Sequence, residues 1–168
     1  MSMAQWASAF AESALGLTKS VGDLAGACLF ATTMGISRML YGKFGEKIDL
    51  IKFMLVSGVI CVVSYLLAGL SAMPIWGLVG CVMCGFSVGI MWPGSISITA
   101  PRIPKGGTAL FALLAMAGDM GGAFGPSVVG YFSQHAGDNL QAGLLTGCIF
   151  PLIMLATLIA MKKMTPEG

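Results

Sequence analysis

The chain has 168 residues, 57% of them hydrophobic and only 10% charged, with a formal net charge of +2; an ordinary soluble domain carries roughly 25% charged residues. So few charged groups cannot dress a water-facing surface, so the composition calls for lipid. The basic residues come in ones and twos without a long cationic run, which excludes a nucleic-acid-binding protein.

In chain order, residues 4–17 (AQWASAFAESALGL) form an apolar stretch that carries Glu12. It is too short to span comfortably and reads as the end of a helix whose beginning is missing. Five longer stretches follow, at about 21–40, 51–70, 74–99, 107–132 and 140–161. Each meets the roughly 20 residues that a hydrocarbon layer about 30 Å thick demands at 1.5 Å per residue. Backbone groups in hydrocarbon must bond within their own segment, and no alternating ten-residue pattern signals a barrel, so the spans read as helices. The expected fold is an all-α membrane protein, a six-helix transmembrane bundle with a truncated first helix, forming one unit over residues 1–168 without repeat or linker. The N-terminus has neither the basic region nor the cleavage site of a signal peptide.

The connections alternate in charge. Arg38, Lys43, Lys47, Lys52, Arg102, Lys105, Lys162 and Lys163 fall on one side, and of nine basic residues only Lys19 falls on the other. The positive-inside rule makes that side cytoplasmic, with both chain ends there, in a plasma or inner membrane. Glycines recur at four-residue spacing: Gly22 and Gly26, Gly85 and Gly89, Gly118 and Gly122, Gly121 and Gly125, Gly143 and Gly147. Lipid supplies no hydrophobic drive between helices, so small residues that admit close backbone approach predict a tightly packed bundle.

Two stretches carry a family resemblance. The first is Gly35-Ile-Ser-Arg38-Met39-Leu-Tyr41-Gly42-Lys43-Phe44-Gly45. It is similar to the cytoplasmic loop motif of the major facilitator superfamily, with Met39 where that family carries an acidic residue. The second, Gly118-Asp119-Met120-Gly121-Gly122-Ala123-Phe124-Gly125-Pro126, is similar to the family's glycine-and-proline helix motif. The whole chain resembles the C-terminal half of such a transporter, from late in the seventh helix to the twelfth, and in particular the fucose-permease-like sugar transporters. The resemblance implies secondary-active symport of a sugar or related polar metabolite by alternating access. It also implies a partner, either an N-terminal six-helix half or a second copy, and a gating role for Gly35, Arg38, Gly42, Lys43 and Gly45.

Asp119 lies near the middle of an apolar span, where a carboxylate costs about 2.5–3.5 kcal/mol on insertion scales. Two readings stand: a group that titrates or binds cation or substrate during transport, or a neutral or hydrogen-bonded carboxyl that packs its glycine-lined helix, with Thr32, Thr33 and the missing half as candidate neighbours. No Lys or Arg is expected at the same depth. Gln5, Trp6, Glu12 and Trp92 are the candidate substrate contacts that the resemblance implies, an aromatic face with amide and carboxyl groups suiting a sugar. The competing reading of Trp6 and Trp92 is an interfacial anchor. Trp92-Pro93-Gly94 interrupts the fourth span and Pro126 the fifth, each as a hinge or a static kink.

Cys81 and Cys84 form a CxxC pair, yet they sit inside an apolar stretch without a second ligand pair, so packing is favoured over a thiol oxidoreductase or a metal site. His135 stands alone in a polar loop. Lys105-Gly106-Gly107-Thr108 reverses the order of a phosphate-binding loop. The chain is therefore expected to be no enzyme and to hold no cofactor and no metal. A fragment that assembles with transporter subunits without transporting is the remaining alternative.

Overall fold

The structure, a computed structural model, describes residues 7–8, 12, 16, 18–44, 49–71, 73–137 and 140–164. Among them there is no strand, and seven helices follow in order: α1 (Lys19–Phe44), α2 (Leu50–Leu70), α3 (Pro74–Val88), α4 (Met91–Arg102), α5 (Gly107–His135), α6 (Leu140–Gly147) and α7 (Ile149–Met164). They make five stretches long and apolar enough to cross a membrane, namely Leu24–Phe44, Leu50–Leu70, Ile75–Arg102, Gly107–His135 and Gln141–Lys163. α3 with α4 forms one such stretch and α6 with α7 another.

Local chemistry sets the ends and the breaks. Asp49 caps α2, its carboxylate accepting from the backbone N–H of Ile51 at 2.9 Å and of Lys52 at 3.3 Å. The Lys52 N–H bond holds the Asp49 carboxyl below the usual carboxylate range, against a smaller opposing effect of desolvation. Pro74 opens α3, where a missing N–H costs no ladder bond. α5 closes at Gly137, whose φ of 74° is the left-handed conformation that glycine adopts without strain. The α6–α7 break at Cys148 lies three residues before Pro151, which leaves the Gly147 carbonyl without its ladder donor. Two buried hydroxyls are satisfied on their own helix: Ser64 donates to the Ile60 carbonyl at 2.7 Å and Ser87 to that of Cys84 at 2.9 Å.

α3 is the central element, packed on α2 along one side and α1 along the other. Glycines set both seams. A Cβ on Gly80 would lie 2.8 Å from the Ser64 carbonyl of α2, while Cβ atoms on Gly85 and Gly89 would each lie 2.7 Å from α1 carbonyls, those of Phe30 and Met34. A third seam joins α6 to the second half of α5, where a Cβ on Gly143 would lie 2.5 Å from the Val129 carbonyl. By contrast Gly121 and Gly130 face open space, so only some of the four-residue glycine spacings are helix contacts. One core cluster runs through Phe30, Cys61, Tyr65, Cys84, Val129 and Leu144, and a second holds Met54, Ile90, Ile98 and Leu158.

Candidate functional site

The site grows from one proline. Pro93 has no N–H for the carbonyl four residues back, that of Gly89, and the helix breaks at Gly89–Ile90 between α3 and α4. The interruption expected at Trp92-Pro93-Gly94 is thus displaced toward the N-terminus, because a proline disrupts the turn before it rather than its own. A side chain from another helix takes the vacant position: Arg38 Nε on α1 donates to the Gly89 carbonyl at 2.9 Å. Ser37, next to Arg38, packs against Gly89 with its hydroxyl fully buried and without a partner.

Two cavities flank this contact. The larger, about 360 Å³, is lined by Phe30, Met34 and Arg38 of α1, by Val88, Met91, Trp92 and Ser95 around the break, and by Gly118, Gly121 and Gly122 of α5. The smaller, about 220 Å³, lies on the other side of Arg38 and Trp92, against Tyr41, Gly42, Ile90 and Pro93. Trp92 rests on α5, where a Cβ on Gly118 would lie 2.9 Å from its ring. Within the described residues the larger cavity is apolar apart from Arg38 and Ser95, and the Ser95 hydroxyl is spent on the Met91 carbonyl at 2.7 Å. Pro126, one turn beyond Gly122, likewise removes the ladder donor to the Gly122 carbonyl on the cavity wall.

Depth follows from helix position. Met34, Gly89 and Gly121 lie at or next to the middle residues of the spans Leu24–Phe44, Ile75–Arg102 and Gly107–His135, so the larger cavity sits at mid-span. Trp92 lies about 5 Å along the helix from the middle of its span, at 1.5 Å per residue, well short of the headgroup depth of an interfacial anchor. Trp76, exposed in the first turn of α3, has the anchor position instead. Arg38, expected just before the loop at the end of its span, is a helical residue within α1, and its guanidinium reaches the middle of the neighbouring span. A basic group therefore does reach the depth of Asp119.

The remaining expected residues scatter. Glu12 is exposed, and Gln5, Trp6 and Gly45 lie outside the described residues. Asp119 is exposed on α5, next to the cavity-lining Gly118. Thr33, proposed above as its neighbour, donates to the Leu29 and Phe30 carbonyls of its own helix. Gly35 and Gly42 meet no neighbouring atom where a Cβ would sit, and the Lys43 ammonium lies 5.6 Å from the centre of the Phe44 ring. Gly94 packs on the Met54 sulfur, while Gly125 is buried and Pro126 half-buried beside it.

The CxxC pair is not the sulfur contact of the bundle. Cys84 meets Cys61 of α2, with 3.8 Å between sulfurs, and all five cysteines are free thiols. Among the described residues no cluster of three or more His, Cys, Asp or Glu is placed to hold a metal.

Sequence reasoning missed Phe30, Met34, Met91 and Ser95 as cavity residues. The signal was present, since Phe30, Met34 and Arg38 recur every four residues and so form one stripe of α1.

Comparison with known proteins bears on these features. The chain is 28% identical over 159 residues, 89% of its length, to the "Multi-drug resistance efflux pump PmrA" of two Streptococcus pneumoniae strains, TIGR4 and R6. It spans 39% of the length of those relatives. No solved structure matches it at comparable significance. The Major Facilitator Superfamily description matches residues 1–167, and on that match over nearly the whole chain, with its apolar helices and broken mid-span segment, the protein belongs to the Major Facilitator Superfamily.

Proposed function

We propose that the chain is one half of a secondary-active transporter that moves a small amphipathic organic solute by alternating access around the mid-span cavity. The observation that carries this reading is the discontinuous helix at Gly89–Ile90, whose flanking residues Val88, Met91 and Trp92 line that cavity at mid-span. Transporters place unwound backbone where it faces a substrate path, since irregular backbone exposed to lipid is prohibitively costly. Membership of a transporter superfamily supports transport over enzymatic chemistry.

The cavity wall favours an amphipathic solute over a sugar. A sugar needs several hydroxyl partners, whereas the described lining supplies methionine, valine and aromatic faces with one guanidinium. The relatives' printed name, which speaks of drugs, points the same way.

A partner bundle is supported by the uneven covering of the spans. The two least apolar spans, Leu24–Phe44 and Gly107–His135, are also the least buried, whereas the strongly apolar Leu50–Leu70 is well covered by its neighbours. Lipid exposure alone would reverse that order. A second six-helix half, or a second copy, laid over α1 and α5 removes the mismatch and closes the cavity. The concentration of Lys43, Lys52, Arg102, Lys105, Lys162 and Lys163 toward one end of the bundle supports a cytoplasmic placement of that end.

The test is solute movement in proteoliposomes that hold the chain alone or with a co-expressed six-helix half, under an imposed proton gradient. Gradient-dependent uptake or release of an amphipathic dye is expected only with the second half or at dimer-forming protein densities. Movement of a labelled sugar and no dye would overturn the solute class, and movement of neither would overturn the transport reading.

A further inference from the structure

Arg38 is held in an unusual way for a cation at mid-span. Its Nε is tied to the Gly89 carbonyl at 2.9 Å, and one terminal nitrogen has only the Met34 sulfur, at 4.0 Å. No carboxylate faces it among the described residues, and Asp119, two positions from the middle of its own span, does not bridge to it. A charged side chain at such depth is expensive and ordinarily finds a counter-charge or a water-filled space. Here the bond to Gly89 holds the exposed guanidinium between the two cavities, and among the described residues its terminal N–H groups meet no oxygen acceptor.

We propose that the larger cavity binds an organic anion with a flat apolar body, its carboxylate, sulfonate or phosphate oxygens on the terminal nitrogens of Arg38. The ring lies between Trp92 and the thioether and aromatic faces of Met34, Met91 and Phe30. This assignment rests on the transport reading given above and narrows its solute class. The guanidinium fork matches planar oxyanions in a way a lone ammonium does not, and charge-assisted bonds are about twice as strong as neutral ones. The cavity volume, about 360 Å³, lies within the range of small-molecule sites, which are typically apolar with a few placed polar groups. A cationic solute meets the same guanidinium with like charge, so the cavity selects against it. Proline, glycine and arginine thereby act together: Pro93 empties the Gly89 carbonyl, the carbonyl aims Arg38, and Arg38 reads the charge of the solute.

The experiment is fluorescence titration of the purified chain in phosphatidylcholine nanodiscs, with Trp6 and Trp76 replaced by Phe so that Trp92 reports alone. The probes are 2-naphthoate and its uncharged isostere 2-naphthamide. Saturable quenching by naphthoate at about tenfold lower concentration than by the amide is expected, with that preference lost in Arg38→Gln and reduced but still present in Arg38→Lys. Because Arg38→Gln also removes the bond to Gly89, Pro93→Ala serves as the second variant. It restores a backbone donor to Gly89 and so competes with the bond that aims Arg38 while keeping the charge, and the naphthoate preference is expected to shrink without vanishing.

Equal binding of the two probes, or an unchanged preference in Arg38→Gln, overturns the proposal. So does displacement of naphthoate by phosphatidylglycerol added to the disc, which would assign the guanidinium to a lipid headgroup. Transport of a neutral dye that survives Arg38→Gln leaves the transport reading standing while the anion assignment falls. Naphthoate binding in a chain that moves no solute with any partner does the reverse.

Discussion

Gly89→Ala tests the seam on which the site is built. Gly89 has helical dihedrals, φ −54° and ψ −41°, so an alanine there is unstrained by its own backbone. Its Cβ, however, would lie 2.7 Å from the Met34 carbonyl, 2.8 Å from Ser37 Cβ and 3.1 Å from Ser37 Oγ, where ordinary contact begins at 3.4 Å. α1 and α3 must part by about 0.7 Å to relieve the carbonyl contact alone, and overpacking of this kind costs about 1–3 kcal/mol. Gly35→Ala on α1 is the matched control, because a Cβ there meets nothing within 4 Å. The exchange of residue itself gains about 0.5–1 kcal/mol in a helix interior, where Gly35 lies, and less at the end of α3, so the difference between the variants reports the seam together with that smaller gain. The assay is thermal unfolding read by a thiol-reactive dye. Buried Cys61, Cys81, Cys84 and Cys148 report the transition and exposed Cys28 sets the baseline. At about 2–4 °C per kcal/mol for a chain of this size, Gly89→Ala is expected to melt about 5 °C below Gly35→Ala. Coincident melting curves would refute the close α1–α3 approach.

The third glycine seam is open to the same comparison. Gly143→Ala, facing the Val129 carbonyl, is expected to lower the melting temperature by several degrees relative to Gly121→Ala, which faces open space. Gly118→Ala is expected to displace the Trp92 ring, visible as a shifted Trp92 emission maximum in the single-tryptophan background, and to weaken naphthoate binding severalfold. At the start of α2, the folded-state pKa of Asp49 is depressed. Its stabilising effect is present at neutral pH and is lost as pH falls through that depressed value. Asp49→Asn, which keeps a capping oxygen, is therefore expected to melt at a higher temperature than Asp49→Ala at neutral pH.

The five spans were legible because lipid imposes a length and a composition that survive any detail of packing. The breaks were half legible. Pro93 announced itself, but its effect fell at Gly89–Ile90, since the lost bond belongs to the residue four positions earlier. Pro151 carries the same signal for the α6–α7 break, and reading the last span as one unbroken run hid it. The site was least legible where it depends on contacts far apart in sequence. Nothing near Arg38 says that its side chain crosses to a carbonyl 51 residues away, and the loop-motif reading pointed it toward the cytoplasm. Likewise, the CxxC spacing drew attention to Cys81, whereas the sulfur that meets Cys84 comes from Cys61 on another helix.

The poor covering of α1 and α5 also bears on how the chain enters the bilayer during synthesis. An intramembrane charge near a helix centre adds about 2.5–3.5 kcal/mol to the free energy of insertion. Of the long apolar stretches, α1 carries Arg38 and α5 carries Asp119, each among several glycines, whereas α2 and the α6–α7 stretch are strongly apolar. The latter two partition into lipid on their own hydrophobicity as they leave the translocon. α1 and α5 depend on a neighbour being there to receive them: α1 on the glycine seam of α3, and α5 on Gly143 of α6. Each dependent span is thus followed, within the next one or two stretches, by the segment that anchors it. Truncation after α5 is accordingly the cut that leaves a span with the weakest hold on the membrane.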